Sequence, residues 1–212
     1  MKNKNEHMND LLNDGFLSLN NSILSEDEIK NLSIKCFEAL GDCESVSYKD
    51  VKENIINDHF ERFDNKKIIN TFFRQKIRHI LGVSKEIDYF IGKIISHNSV
   101  KEILNYLFSQ PKCHACVVRM ADGNSIPLGI HSDGPNEITI SFLLNDLTEN
   151  DTTTVLIKSS HLFPTSVKNT LERISPKFFS FLTTAITGYA GTINFFFNRT
   201  AHGVQKGSGN KS

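Results

Sequence analysis

An α+β fold is predicted, with helices in the first half of the chain and an antiparallel sandwich or jelly roll in the second. Three observations predict it. Apolar residues recur at helical spacing up to about residue 110, the period shortens towards two from Cys113, and the later segments are rich in β-branched and aromatic residues bounded by Gly, Pro, Asn and Asp. No repeat, low-complexity tract or linker divides the chain. Residues 1–212 are therefore read as a single domain, helix-rich over 1–110 and β-rich over 111–212.

The elements follow in order. Ser25-Glu26-Asp27-Glu28 is a capping box, after which Ile29, Leu32, Cys36, Phe37 and Leu40 share one helical face until Gly41. A second helix is expected from about Lys66 to Leu81, with Ile69, Phe72, Phe73, Ile77 and Ile80 inward and Gly82 ending it. Shorter helices are expected over 86–96 and 100–108, the latter closed by Gln110-Pro111. Strands are expected over 113–120, 137–144, 153–158 and 192–197. Lys177–Thr187 fits either type: Ser175-Pro176 is a good helix start, yet the Phe- and Thr-rich run suits a strand.

Composition narrows the function classes. Twenty-four basic and 24 acidic residues cancel, so no global field favours nucleic acid or an acidic membrane. The first 14 residues are polar and Asn-rich, unlike a signal peptide, and no apolar run approaches the roughly 20 residues of a membrane span. With four cysteines and no secretory signal, reduced thiols and a cytoplasmic location are expected. Triplets such as Asn198-Arg199-Thr200 then carry no glycosylation argument.

The chemistry lies in the second half, where His131-Ser132-Asp133 is followed far along the chain by His202. Residues i and i+2 of an extended segment point the same way, so His131 and Asp133 can grip one ion, with His202 supplied by a distant strand. Two imidazoles and one carboxylate on one side of an octahedral ion form the facial triad of non-haem Fe(II) oxygenases, leaving three positions open. Alone, His-Ser-Asp-Gly-Pro also reads as a surface turn in which Asp caps a loop.

Five pieces of sequence, in order, give that triad a context: Leu12–Leu17 with Leu24–Ile29, Pro127–Gly134, Phe142–Asp146, Thr153–His161, and Gly188–Phe196 leading into His202. Together they resemble the phytanoyl-CoA dioxygenase family of Fe(II)/2-oxoglutarate-dependent oxygenases. The resemblance implies a double-stranded β-helix (jelly roll) core with an N-terminal helical layer. It also implies metal ligation by His131, Asp133 and His202, with Fe(II), 2-oxoglutarate and O2 as cofactor and cosubstrates. The implied activity is a dioxygenase that hydroxylates a C–H bond of a small metabolite or a carrier- or CoA-linked substrate. Asp133, where a halogenase leaves room for halide, points to hydroxylation. His161 matches a non-ligand position of the family.

Two departures stand out. Thr154 and Lys158-Ser159 replace the family's usual Gly and Pro-Gly. The family also carries an Arg about ten residues after the distal His, which pairs with the far carboxylate of 2-oxoglutarate. Here Lys206 and Lys211 are the cations that follow His202, and Arg119, on a predicted core strand, is the other candidate anchor. An ammonium supplies charge but not the bidentate fork of a guanidinium. The family's last strand is accordingly expected to be incomplete.

Other readings compete. A prolyl-hydroxylase-like oxygenase would share these ligands but act on peptides; zinc at the same residues would activate water for hydrolysis; a non-catalytic jelly roll would only bind. Cys113-His114-Ala115-Cys116 invites a zinc or redox reading, but on a strand the two thiols would face opposite sides. Lys67, Arg74 and Arg78 would lie near one helix face, more simply solvated than phosphate-binding. His7, His59, His79 and His97 are expected to be solvated.

Overall fold

In the computed structural model, residues 4–20, 23–41, 45–46, 67–70, 75–113, 115–121, 127–134, 136–164, 167 and 181–207 are described. They fall into two compact units, one built from residues 1–22 and 127–212 and the other from residues 23–126.

The first unit begins with helix α1 (Lys4–Asp14), not anticipated in so polar a segment, which buries Met8 and Leu11. Gly15 ends it. Its φ of +73° is the left-handed conformation of a helix terminus, and its N–H donates to the Leu11 carbonyl at 2.9 Å. Strand β1 (Phe16–Leu19) follows at once and pairs with β10 (Ile193–Phe197), which pairs with β7 (Ile138–Phe142), both antiparallel. A second antiparallel sheet has the order β6 (Leu128–His131), β11 (His202–Gln205), β8 (Thr153–Ile157) and β9 (Thr183–Ala185).

Alternation along these strands builds the core. Phe16 and Phe196 of the first sheet, with Leu143 just beyond β7, pack on Leu156 and Ile186 from the second. On the opposite side of the second sheet, Ile130, Val155, Ile157 and Ala201 form another buried cluster. The expected strands over 137–144, 153–158 and 192–197 are therefore present, trimmed at their ends. The ambiguous 177–187 stretch contributes β9, while residues 168–180 lie outside the described residues.

In the second unit, α2 (Glu26–Gly41) starts at the expected capping box. Ser25 N–H donates to Glu28 Oε2 at 2.9 Å, and Glu28 N–H donates to Ser25 Oγ at 3.3 Å. Helix α3 (Lys85–Ser96) is capped by Ser84 and buries Ile87, Phe90, Ile91 and Ile94; α4 (Asn98–Leu107) follows directly, with His97 Nδ1 accepting from Ser99 N–H. Lys93 of α3 reaches Glu28 of α2 at 2.6 Å.

The helix expected over 66–81 is a correction. That stretch holds β3 (Lys67–Asn70) and β4 (Gln75–His79), which pair antiparallel. The second unit's sheet runs β2 (Ser45–Val46), β3, β4, β5 (Val117–Met120), with β2 parallel to β3. Its isoleucines are β-branched, and burial alternates over Ile77, Arg78, His79 and Ile80. Strand pairing outcompetes a helical pattern whose apolar spacing fitted both periods. Arg78 is consequently not on a helix face: it is buried, and its guanidinium donates to the Ala39 carbonyl in the last turn of α2. Lys67 lies opposite it in the β3–β4 register, and Arg74 falls outside the described residues.

The strand expected from Cys113 begins only at Val117, so the parity argument about Cys113 and Cys116 does not apply. Both thiols precede β5, Cys113 exposed and Cys116 partly buried, with Cys116 N–H directed at His79 Nε2.

Candidate metal centre

Strand β11 runs between β6 and β8 with His202 opposite His131 on one side and opposite Leu156 on the other. The register shifts between His202 and Val204, and Gly203 makes that shift possible. A Cβ there would stand 2.7 Å from the Leu128 carbonyl oxygen, closer than real contacts allow. The two imidazoles are thereby brought together with ring centroids 4.3 Å apart, inclined by 52°.

Each ring is oriented by a backbone carbonyl two residues before it. His131 Nδ1 lies 3.0 Å from the Gly129 carbonyl and His202 Nδ1 lies 2.8 Å from the Thr200 carbonyl. A carbonyl oxygen only accepts, so both Nδ1 atoms carry the proton and both Nε2 atoms turn towards Asp133. His202 Nε2 is 3.4 Å from Asp133 Oδ2, and His131 Nε2 is 3.9 Å from Asp133 Oδ1. One ligand atom from each of the three residues falls within 4.8 Å of the other two, and they form the one such His, Cys or carboxylate group among the described residues.

The three residues differ in setting. His202 is buried against Phe196, whose ring centroid is 5.2 Å away, while the Asp133 side chain is 51% exposed. Asp133 is also tied through its backbone, its N–H donating to the Asn198 carbonyl at 2.8 Å. Asn198 was not singled out from the sequence, nor were its partners Glu137 and Thr139. The only sequence signal was a polar residue at the exit of the strand that leads to His202.

His161 joins the structure elsewhere. It is buried, its Nε2 lies 2.9 Å from the Leu12 carbonyl, and it is not one of the three convergent residues, as expected. Among the cosubstrate candidates, Lys206 is exposed just beyond β11, four residues and roughly 13 Å of extended chain from His202. Arg119 is exposed on β5 in the second unit, paired in register with Ile77. Lys211 lies outside the described residues.

No protein-family model matches the sequence, and no curated protein does. Solved structures do. The epimerase SnoN from nogalamycin biosynthesis, described as non-haem and α-ketoglutarate-dependent, superposes with a TM-score of 0.66 at 14% identity over 98% of this chain and 78% of its own. HygX from Streptomyces hygroscopicus, with nickel, 2-oxoglutarate and hygromycin B bound, gives 0.67 at 12% identity over 98% and 83%. EctD from S. alaskensis with bound Fe gives 0.65 at 15% over 98% and 72%. The chain shares their fold. It is a mixed fold of helices and largely antiparallel sheet, and no helix among the described residues is long and apolar enough to cross a membrane.

Proposed function

We propose that this chain is a non-haem Fe(II)- and 2-oxoglutarate-dependent oxygenase of the phytanoyl-CoA dioxygenase type, built on a double-stranded β-helix. The observation that carries this reading is the convergence of His131 Nε2, His202 Nε2 and an Asp133 carboxylate oxygen, with both imidazoles locked by their Nδ1 protons. Two neutral nitrogen donors and one carboxylate suit Fe(II) and leave coordination positions for a chelating keto acid and O2. Solved structures of the same fold are described with Fe or nickel and with 2-oxoglutarate, which favours this ligand set over a hydrolytic zinc site.

With Fe(II) and 2-oxoglutarate held there, the group supplies the oxidising power that converts an unactivated C–H bond to C–OH at the expense of O2. The chain's own residues prepare that chemistry. The Gly129 and Thr200 carbonyls hold the two imidazoles in the ligating tautomer. Asp133 contributes the negative charge that balances a dication, and its carboxylate occupies the position a halogenase would reserve for halide. Phe196 and Leu156, packed together beside His202, keep water from that side of the centre. Lys206 is the candidate counter-ion for the far carboxylate of 2-oxoglutarate.

The substrate we propose is a small metabolite or a carrier- or CoA-linked one. SnoN belongs to nogalamycin biosynthesis and HygX was crystallised with hygromycin B, both small-molecule settings. Anaerobic titration with Fe(II) and then 2-oxoglutarate tests the reading: a metal-to-ligand charge-transfer band should develop at one equivalent of each. Tight zinc binding without 2-oxoglutarate binding would replace the oxygenase by a hydrolase.

A further inference from the structure

We infer that Asn198 is a positioning residue for the carboxylate ligand, acting through Glu137 and Thr139; the inference rests on the metal reading of His131, Asp133 and His202. Asp133 is the most exposed of the three ligands and sits in the connection between β6 and β7. At 51% exposure the side chain gains little orientation from core packing, so the backbone that carries it has to be fixed.

Asn198 fixes the backbone of Asp133 from the other end of the site. Asn198, one position beyond β10, receives the Asp133 N–H on its carbonyl at 2.8 Å and donates its own N–H to the Glu137 carbonyl at 3.0 Å. Its side chain adds two bonds in opposite senses: Nδ2 donates to Glu137 Oε2 at 2.8 Å, and Oδ1 accepts from Thr139 Oγ1 at 2.6 Å. Both ends of the 133–137 connection are thus closed on one residue. Within that connection Asn136 is left-handed, with φ of +67°, a turn conformation that Asn accepts more readily than other L residues.

The chemistry demands a carboxamide. Glu137 offers an acceptor and Thr139 a donor, so the residue between them must donate from one atom and accept on the other. A carboxylate in place of the amide would keep the Thr139 bond but set a second negative charge against Glu137. A methyl group would lose both bonds and leave only the backbone pair. Partners that orient metal ligands from behind typically change affinity by roughly 10–100-fold when removed.

The test is Co(II) affinity by calorimetric titration, with the Co(II) ligand-field spectrum recorded alongside, on the whole chain. Asn198→Ala should bind Co(II) about 10–100-fold more weakly and shift the spectrum while the circular dichroism stays that of the parent. Asn198→Asp should weaken binding similarly. Combining Asn198→Asp with Glu137→Gln should recover most of it, because the amide and the carboxylate then exchange places and the bond re-forms with its polarity reversed. Thr139→Val, a near-isostere, gives a smaller loss should Asn198→Ala fail to fold. Parental Co(II) affinity in folded Asn198→Ala, or no recovery in the double variant, overturns the positioning role. A parent chain that binds no Co(II), or binds it equally well as His202→Ala, overturns the metal reading itself, a result distinct from either of those.

Discussion

His131 and His202 face each other directly in the β6–β11 pair, 4.3 Å between ring centroids, and each turns its Nε2 towards Asp133 because a carbonyl two residues earlier holds its Nδ1. That relationship makes the centre a property of strand register. A slip of one residue in β11 would turn His202 to the other face of the sheet. As proposed ligands, three donors held so would act as one chelate, and this sets the first expectation.

His131→Ala, Asp133→Ala and His202→Ala should each lower Co(II) or Fe(II) affinity by more than about 100-fold, exceeding the effect of any supporting residue. His131 and Asp133 are partly exposed, so their variants should unfold within a few degrees of the parent. His202 is buried, and its truncation should also cost about 1–3 kcal/mol through the cavity left beside Phe196. Metal titration paired with thermal unfolding separates the two effects. Parental affinity in any two of the variants would remove the triad.

The segment around Ser159 explains one sequence departure and yields a second expectation. Where the resembled family has Gly, this chain places Ser159 at φ of +60°, just after β8, with its N–H on the Asp14 carbonyl at 2.8 Å. Left-handed backbone costs an L residue about 1–2 kcal/mol, which Gly avoids at some entropic expense. Ser159→Gly should therefore stabilise the fold by about 0.5–1 kcal/mol in chemical denaturation. Gly15→Ala is the converse: φ is +73°, and a Cβ would fall 2.5 Å from both His161 Nδ1 and Thr200 Oγ1. It should destabilise by about 2 kcal/mol or more. Opposite signs for the pair are the readout; a destabilised Ser159→Gly would count against the strain.

Much of this was readable in the residues, and the misses have physical causes. The capping box at Ser25–Glu28 is a local hydrogen-bond pattern and survived intact, as did the strands with strict β-branched and aromatic composition. The convergence of His131, Asp133 and His202 was legible in the short His-x-Asp spacing and the later His, although Asp133 lies just past the end of β6. Residues 66–81 misled because Ile69, Phe72, Phe73, Ile77 and Ile80 fall three and four apart along the sequence, and pairing with the distant β5 decided the outcome. Helix α1 was missed because its first residues are polar, and among its described side chains Met8 and Leu11 are the buried ones. Asn198 was invisible because a carboxamide acquires its role from Glu137 and Thr139, which only the β10–β7 pairing brings beside it.

The thiols of the second unit carry a pH dependence. Burial pushes the Cys116 thiol up to about 12, with smaller contributions from Cys113, Cys36 and Asp88, and burial alone pushes Cys36 up to about 11, both from an ordinary 9.0. A folded pKa above the unfolded one stabilises below the unfolded value, and that contribution is lost as pH rises through the folded value. Stability should thus be indifferent to these thiols below about pH 9 and fall between about pH 9 and 12 as the unfolded chain ionises first. Denaturation midpoints across that range should fall less steeply in Cys36→Ala and Cys116→Ala than in the parent. Iodoacetamide at neutral pH should label exposed Cys113 well before either. Faster labelling of Cys116 than of Cys113 would contradict its burial.

The last expectation concerns the far carboxylate of 2-oxoglutarate. A charge taken into a barrel needs a fixed partner, since an unpaired buried carboxylate is costly. The resembled family meets that need with an Arg after the distal His; this chain has Lys206 on the run that leaves β11, four residues beyond His202. Lys206 is exposed and directly follows β11, near enough to His202 along the chain to be the candidate counter-ion. Lys206→Ala should therefore weaken 2-oxoglutarate binding severalfold or more, with Fe(II) or Co(II) affinity unchanged because no ligand is touched. Lys206→Arg should bind at least as tightly as the parent, since a guanidinium can engage both carboxylate oxygens. The same titration on Lys211→Ala and Arg119→Ala tests the alternative anchors. Parental 2-oxoglutarate binding in Lys206→Ala, with loss in one of the other two, would move the anchor to that residue. Parental binding in all three would show that none of these three cations anchors the carboxylate.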